Sequence, residues 1–118
     1  MIIRLFARDL ELVKVDRNSE KLKTECIGRS VFAENKAYID GNKGFNTALH
    51  EIFHFYIHRS GFEQTENVTK EMACDMFATC FEQLIFENGD GILLKIKEFA
   101  EWPITYVHAS KSSYNQKK

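Results

Sequence analysis

The segment Thr47–Tyr56 places two histidines four residues apart, with a glutamate directly after the first, inside an apolar stretch. Four residues make about one turn of an α-helix, so His50 and His54 lie on one helix face with Glu51 beside them. Most apolar residues of this stretch fall on the opposite face: Phe45, Ala48, Leu49, Ile52, Phe53, Phe55 and Tyr56. The pattern predicts a helix over residues 41–59 that packs one face on a core and exposes both histidines and the glutamate on the other.

Two imidazoles separated by one helical turn can bind a single metal ion. This is the HExxH pattern, in which the histidines ligate zinc and the glutamate acts as a general base. We therefore predict His50 and His54 as zinc ligands and Glu51 as the catalytic base. A catalytic zinc takes three protein ligands and keeps one position for water, so a third ligand must come from elsewhere in the chain.

The third ligand has three candidates after the histidine pair: His58, Glu71 and Cys74. His58 lies two turns from His50, about 12 Å along the helix, which is too far for one ion to bind both. Glu71 is the better candidate, because Glu71 and Asp75 are four residues apart and share a helix face. Asp75 could then accept the outer N–H of a ligating histidine. Ligation by Cys74, or an acidic face that binds no metal, stays open as an alternative.

Strands are predicted before the histidine helix. Residues 1–40 are mostly extended, with β-leaning runs at 28–33 and 36–39 joined by a turn at Glu34-Asn35. Residues 10–23 suit either a strand or a short helix. The sequence thus predicts an N-terminal sheet that precedes the helices.

Two further helices are predicted after the histidine helix. Over residues 67–87, apolar side chains recur every four positions: Met72, Met76, Cys80 and Leu84, with Ala73, Phe77, Phe81 and Ile85 beside them. A shorter helix over Ile92–Glu101 precedes Pro103. The fold class expected from these elements is a small α+β domain, in which a twisted N-terminal β-sheet packs against two or three helices.

Composition limits the number of domains and the class of partner. The 118 residues, 44% of them hydrophobic, predict a single domain at 1–108 followed by a flexible polar tail at 109–118. The 16 Lys and Arg nearly balance the 17 Asp and Glu, which argues against nucleic-acid binding. Charges interrupt the apolar N-terminus, and no apolar run approaches the roughly 18 residues of a membrane span. We expect a cytoplasmic protein with no membrane partner.

The chain resembles zinc metallopeptidases of the gluzincin kind, in which HExxH precedes a glutamate and, four residues later, an aspartate on the next helix. More narrowly, it resembles the small ImmA/IrrE-type metallopeptidases of phages, mobile elements and bacteria, which share a zincin-like domain. The matching positions are Thr47, His50, Glu51, His54, Glu71, Cys74, Asp75, Phe77 and Ala78. The resemblance covers about residues 25–87. The chain differs from the family pattern at Phe53, where the family commonly has Gly, and at Gln83–Ile85, where it often has Leu-Met-Pro.

This resemblance implies zinc-dependent hydrolysis of peptide bonds. One Zn²⁺ per chain would be bound by His50, His54 and Glu71. Glu51 would take a proton from the attacking water and pass it to the leaving amine.

The resemblance also implies how the substrate binds. The substrate would be a peptide or protein, and related proteins often act on transcriptional repressors. It would lie extended along an edge strand upstream of the zinc helix, at 31–34 or 36–39. Tyr106 and His108 follow the last predicted helix and are candidate donors to the oxyanion.

Two alternative functions would use the same residues without catalysing hydrolysis. One is a zinc-binding, catalytically degenerate interaction or regulatory protein of a phage or mobile element. Glu51 argues against it, because a purely structural zinc site needs no general base. The other is an interaction protein whose helices carry these residues without binding metal.

Overall fold

The computed structural model describes residues 1–22, 27–42, 44–62 and 67–101. Over these residues the chain is an α+β domain with a four-stranded mixed sheet and three helices, which confirms the predicted fold class. The strands are β1 (Ile2–Leu5), β2 (Arg8–Val15), β3 (Gly28–Val31) and β4 (Lys36–Asp40), and the helices are α1 (Phe45–Ser60), α2 (Lys70–Asn88) and α3 (Ile92–Glu101). The predicted domain limit at 108 and the tail at 109–118 lie outside the described residues.

The sheet consists of two antiparallel hairpins joined by a central parallel pair. The strand order is β1-β2-β4-β3, and β2 runs parallel to β4 with Val13 opposite Tyr38. The predicted β3–β4 hairpin is confirmed. Its turn is a short 3₁₀ helix, Phe32–Glu34, closed by Asn35 in the left-handed conformation at φ 55°. Among the described strands, β3 therefore lies at one edge of the sheet and β4 in its interior.

The β1–β2 hairpin turns at two residues that carry no turn signal. Phe6 and Ala7 both have positive φ, 58° and 61°, a conformation in which Gly and Asn are usual. Tertiary contacts hold this turn. The Phe6 ring stacks on Tyr56 at 5.6 Å, and the carboxylate of Glu87 accepts the backbone N–H groups of Phe6 and Ala7.

One hydrophobic core lies between the sheet and the three helices. It contains Ile3, Leu5, Leu10, Leu12, Ala37 and Ile39 from the sheet, and Ala48, Ile52, Phe55, Met76, Cys80, Leu84, Ile92, Ile96 and Ala100 from the helices. The predicted four-residue repeat of α2 is buried at Met76, Cys80 and Leu84. The parallel repeat beside it is more open, since Phe77 is 48% exposed. In the described parts of the chain, no helix has the length and apolarity needed to cross a membrane.

Candidate metal centre

His50 and His54 lie one turn apart on the exposed face of α1, with their rings directed toward each other. Their Nε2 atoms are 3.1 Å apart, and the ring centroids are 4.8 Å apart. Two nitrogens bound to one tetrahedral zinc at about 2.0–2.1 Å stand about 3.3 Å from each other. The pair therefore fits a single zinc ion with little movement of either side chain.

Glu51 lies beside this pair but is buried. Only 5% of it is exposed, whereas the sequence predicted an exposed position on the histidine face. That part of the prediction is wrong, because α1 packs against β3 and the strand covers this side of the helix. Glu51 Oε1 accepts a hydrogen bond from Ser30 Oγ at 2.8 Å. The same hydroxyl lies 3.4 Å from the main-chain oxygen of Glu51.

Gly28 on β3 makes room for the Glu51 carboxylate. A Cβ at position 28 would lie 2.5 Å from Glu51 Oε2 and 2.9 Å from its Cδ. With the carboxylate in this position, a side chain at 28 would overlap it, and either Glu51 or the strand would have to move. Sequence reasoning missed both Gly28 and Ser30. The available signal was the glycine itself, since a glycine within a strand often marks a close approach.

The strand order also corrects the prediction of which segment before α1 forms an edge strand. Residues 36–39 belong to β4, which pairs with strands on both sides, and residues 32–34 form the 3₁₀ turn. Neither can be the edge strand. Among the strands that the structure describes, the edge strand beside α1 is β3, Gly28–Val31, which carries the residues that contact Glu51. A peptide that added to this edge would pass close to the Glu51 carboxylate.

The structure does not bring the predicted third ligand to the histidines. Glu71 is exposed in the first turn of α2. Within the described ranges, no group of three or more His, Cys, Asp or Glu side chains is close enough to hold a metal. Asp75 is exposed and lines a cavity with Tyr56, whereas His50 lines a different one. The roles of Glu71 and Asp75 stay predictions.

The remaining candidates lie apart from the pair or outside the described residues. His58 stacks on Phe32 with ring centroids 4.0 Å apart and planes 2° from parallel. Tyr106 and His108 lie outside the described residues. Cys74, the cysteine among the candidates, is exposed on α2, and its role as a ligand stays a prediction.

An open cavity lies next to the histidines, between α1 and α2. It has a volume of about 190 Å³. Its walls are formed by Asn46, Leu49, His50, Ile52, Phe53, Phe77, Cys80, Phe81 and Leu84. Because His50 belongs to both, the cavity lies beside the candidate metal position.

Comparison with family models, with curated proteins and with solved structures finds no match for this chain.

Proposed function

We propose that this chain is a zinc-dependent metallopeptidase. The observation that carries the proposal is the convergence of His50 and His54, whose Nε2 atoms are 3.1 Å apart. The next residue after His50 supports it, because Glu51 has the carboxylate that peptide hydrolysis by activated water requires. The edge strand β3 supports it as well, since an extended peptide can add to that edge close to Glu51.

In the proposed reaction, each residue of the site would have its own role. His50 and His54 hold the ion, and Glu71 is the predicted third ligand. Bound zinc supplies a Lewis acid and a water with a pKa lowered toward about 7. Glu51 would accept a proton from the attacking water through its carboxylate and pass it to the leaving amine. Ser30 and Gly28 keep the carboxylate in one position.

A second candidate function is a zinc-binding protein without hydrolytic activity. The observation that favours it is the burial of Glu51 against β3, where Ser30 already engages its carboxylate. In that case Glu51 is a structural contact between α1 and the sheet.

Glu51→Gln separates the two functions. For a peptidase, we expect the variant to keep zinc and to lose at least about 100-fold in hydrolysis rate, because general base catalysis is typically worth that much. Hydrolysis is measured by mass spectrometry on a mixture of unstructured peptides, with zinc content determined in the same samples. Glu82→Gln, at an exposed glutamate on α2, is the matched control. A zinc-loaded wild type that cleaves no peptide, or a variant as active as wild type, contradicts the proposal.

A further inference from the structure

The cavity between α1 and α2, which we call the α1–α2 cavity, has an apolar floor and an accessible rim. Ile52, Cys80 and Leu84 form the floor and are buried. Asn46, His50 and Phe77 are exposed and form the rim. The cavity therefore opens to solvent, and His50 of the candidate metal position belongs to its rim.

The chemistry of the lining selects against charged occupants. None of the nine lining residues is an Asp, Glu, Lys or Arg. The Phe53 and Phe77 rings lie parallel with centroids 4.3 Å apart, and Phe81 lies 6.0 Å from Phe77. A charged group moved from water to such a surface would lose hydration without gaining a partner. An aromatic or branched aliphatic group would instead be removed from water against apolar walls.

The volume of the cavity agrees with one large apolar side chain. An apolar protein cavity of about 150 Å³ is large enough to bind benzene. The α1–α2 cavity, at about 190 Å³, is slightly larger. A phenyl ring or a leucine side chain thus fits, whereas a methyl group leaves most of the cavity unfilled.

We propose that the α1–α2 cavity binds a bulky apolar side chain, aromatic or leucine-like, of a peptide. The identification of this peptide as the substrate hydrolysed at the neighbouring histidines rests on the proposed function. Because His50 lines the cavity, a side chain bound there places its own backbone beside the histidine pair. The cavity then selects the residue type next to the cleaved bond.

Capped amino-acid amides test this proposal without requiring catalysis. The probes are the N-acetyl amides of phenylalanine, leucine, alanine and glutamate. Their dissociation constants are measured by NMR titration of the full-length protein, with and without added zinc. We expect the phenylalanine and leucine amides to bind at least about tenfold more tightly than the alanine amide, because they bury more apolar surface. The glutamate amide should bind no better than the alanine amide.

Two variants locate the binding in the cavity. Leu49→Trp fills the cavity and should abolish the apolar preference. Phe77→Ala removes a wall at a half-exposed position that the fold tolerates better, and should weaken binding of the leucine amide several-fold. Phe86→Ala is the matched control, because Phe86 lies on the same helix, is 85% exposed and does not line this cavity.

The outcomes separate this inference from the proposed function. An apolar preference that is lost in the cavity variants supports the cavity as a side-chain site. The same result in a protein that binds no zinc still supports it, and overturns only the peptidase proposal. Equal affinity for the four amides, or a preference unchanged by Leu49→Trp and Phe77→Ala, overturns the inference even if zinc is bound.

Discussion

The Glu51 carboxylate is held from the strand side by two residues of β3. Ser30 donates a hydrogen bond to one oxygen, and Gly28 leaves space for the other. Burying a carboxylate without hydrogen-bond partners costs free energy. Strand β3 leaves space for the Glu51 carboxylate and also donates a hydrogen bond to it. These contacts fix the position of the Glu51 carboxylate relative to His50 and His54.

Gly28→Ala tests this packing directly. The added Cβ would overlap the Glu51 carboxylate at 2.5 Å, so the strand or the side chain must move. We expect a loss of about 1–3 kcal/mol in the free energy of unfolding, as is usual for overpacking. Urea denaturation measures it. Gly91→Ala is the matched control, because nothing lies within 4 Å of a Cβ there. Equal stability of the two variants would contradict the contact.

The third zinc ligand is also a question at the level of single residues. If Glu71 ligates zinc, Glu71→Ala should weaken zinc binding by more than the roughly 10–100-fold that loss of an outer-shell partner costs. Competition with a zinc chelator measures the affinity. Glu82→Ala, at another exposed glutamate of α2, should leave it unchanged. A Glu71→Ala protein with wild-type affinity would exclude this ligand and direct the search to other residues.

At the level of elements, the C-terminal end of α2 holds the β1–β2 hairpin. Glu87 accepts the backbone N–H groups of Phe6 and Ala7 at 2.5 and 2.6 Å. The next residue, Asn88, exchanges two hydrogen bonds of 2.8 Å with the backbone of Arg4. Helix and hairpin are therefore joined at residues eighty or more positions apart in sequence.

Glu87 makes the stability of this junction pH-dependent. Partial burial raises the pKa of Glu87, but hydrogen bonds from Gln83, Ala7 and Phe6 outweigh it and hold the pKa below its ordinary value. The folded state thus favours the carboxylate. Its stabilisation is complete above the unfolded pKa, about 4.3, and is lost as the pH falls through the lower folded pKa.

We expect Glu87→Gln to lower the free energy of unfolding near pH 7 by about 1.5–3 kcal/mol, the range for hydrogen bonds to a charged group. The difference from wild type should shrink below about pH 4.3. Denaturation at a series of pH values measures this difference, with Glu82→Gln as the control. A difference that stays constant down to pH 3 would show that the charge of Glu87 does not contribute.

Local sequence signals predicted the helices better than the strands. Helix α1 ends at Ser60, one residue past the predicted end, with Gly61 in the left-handed conformation, but it begins at Phe45 and not at 41. Helix α3 has the predicted bounds. The β1–β2 hairpin could not be predicted, because Phe6 and Ala7 adopt a turn that only contacts with α1 and α2 stabilise. The parallel pairing of β2 with β4 likewise depends on the assembled sheet.

At the level of the whole molecule, the site depends on how α1 lies on the sheet edge. Helical spacing alone predicted that His50 and His54 converge, since it needs no knowledge of the rest of the fold. It could not predict the burial of Glu51, which requires β3 to pack beside α1. The α1–α2 cavity likewise arises only when the two helices pack, because Phe53 and Phe77 come from different helices.

The zinc content of the purified protein tests the central claim most directly. Elemental analysis is made on wild type, on His50→Ala and on His58→Ala, which removes an exposed histidine of the same helix that stacks on Phe32. We expect about one zinc per chain in wild type and in His58→Ala, and none in His50→Ala. Wild-type protein that binds no zinc even when zinc is supplied, or His50→Ala that binds as much as wild type, would contradict the account.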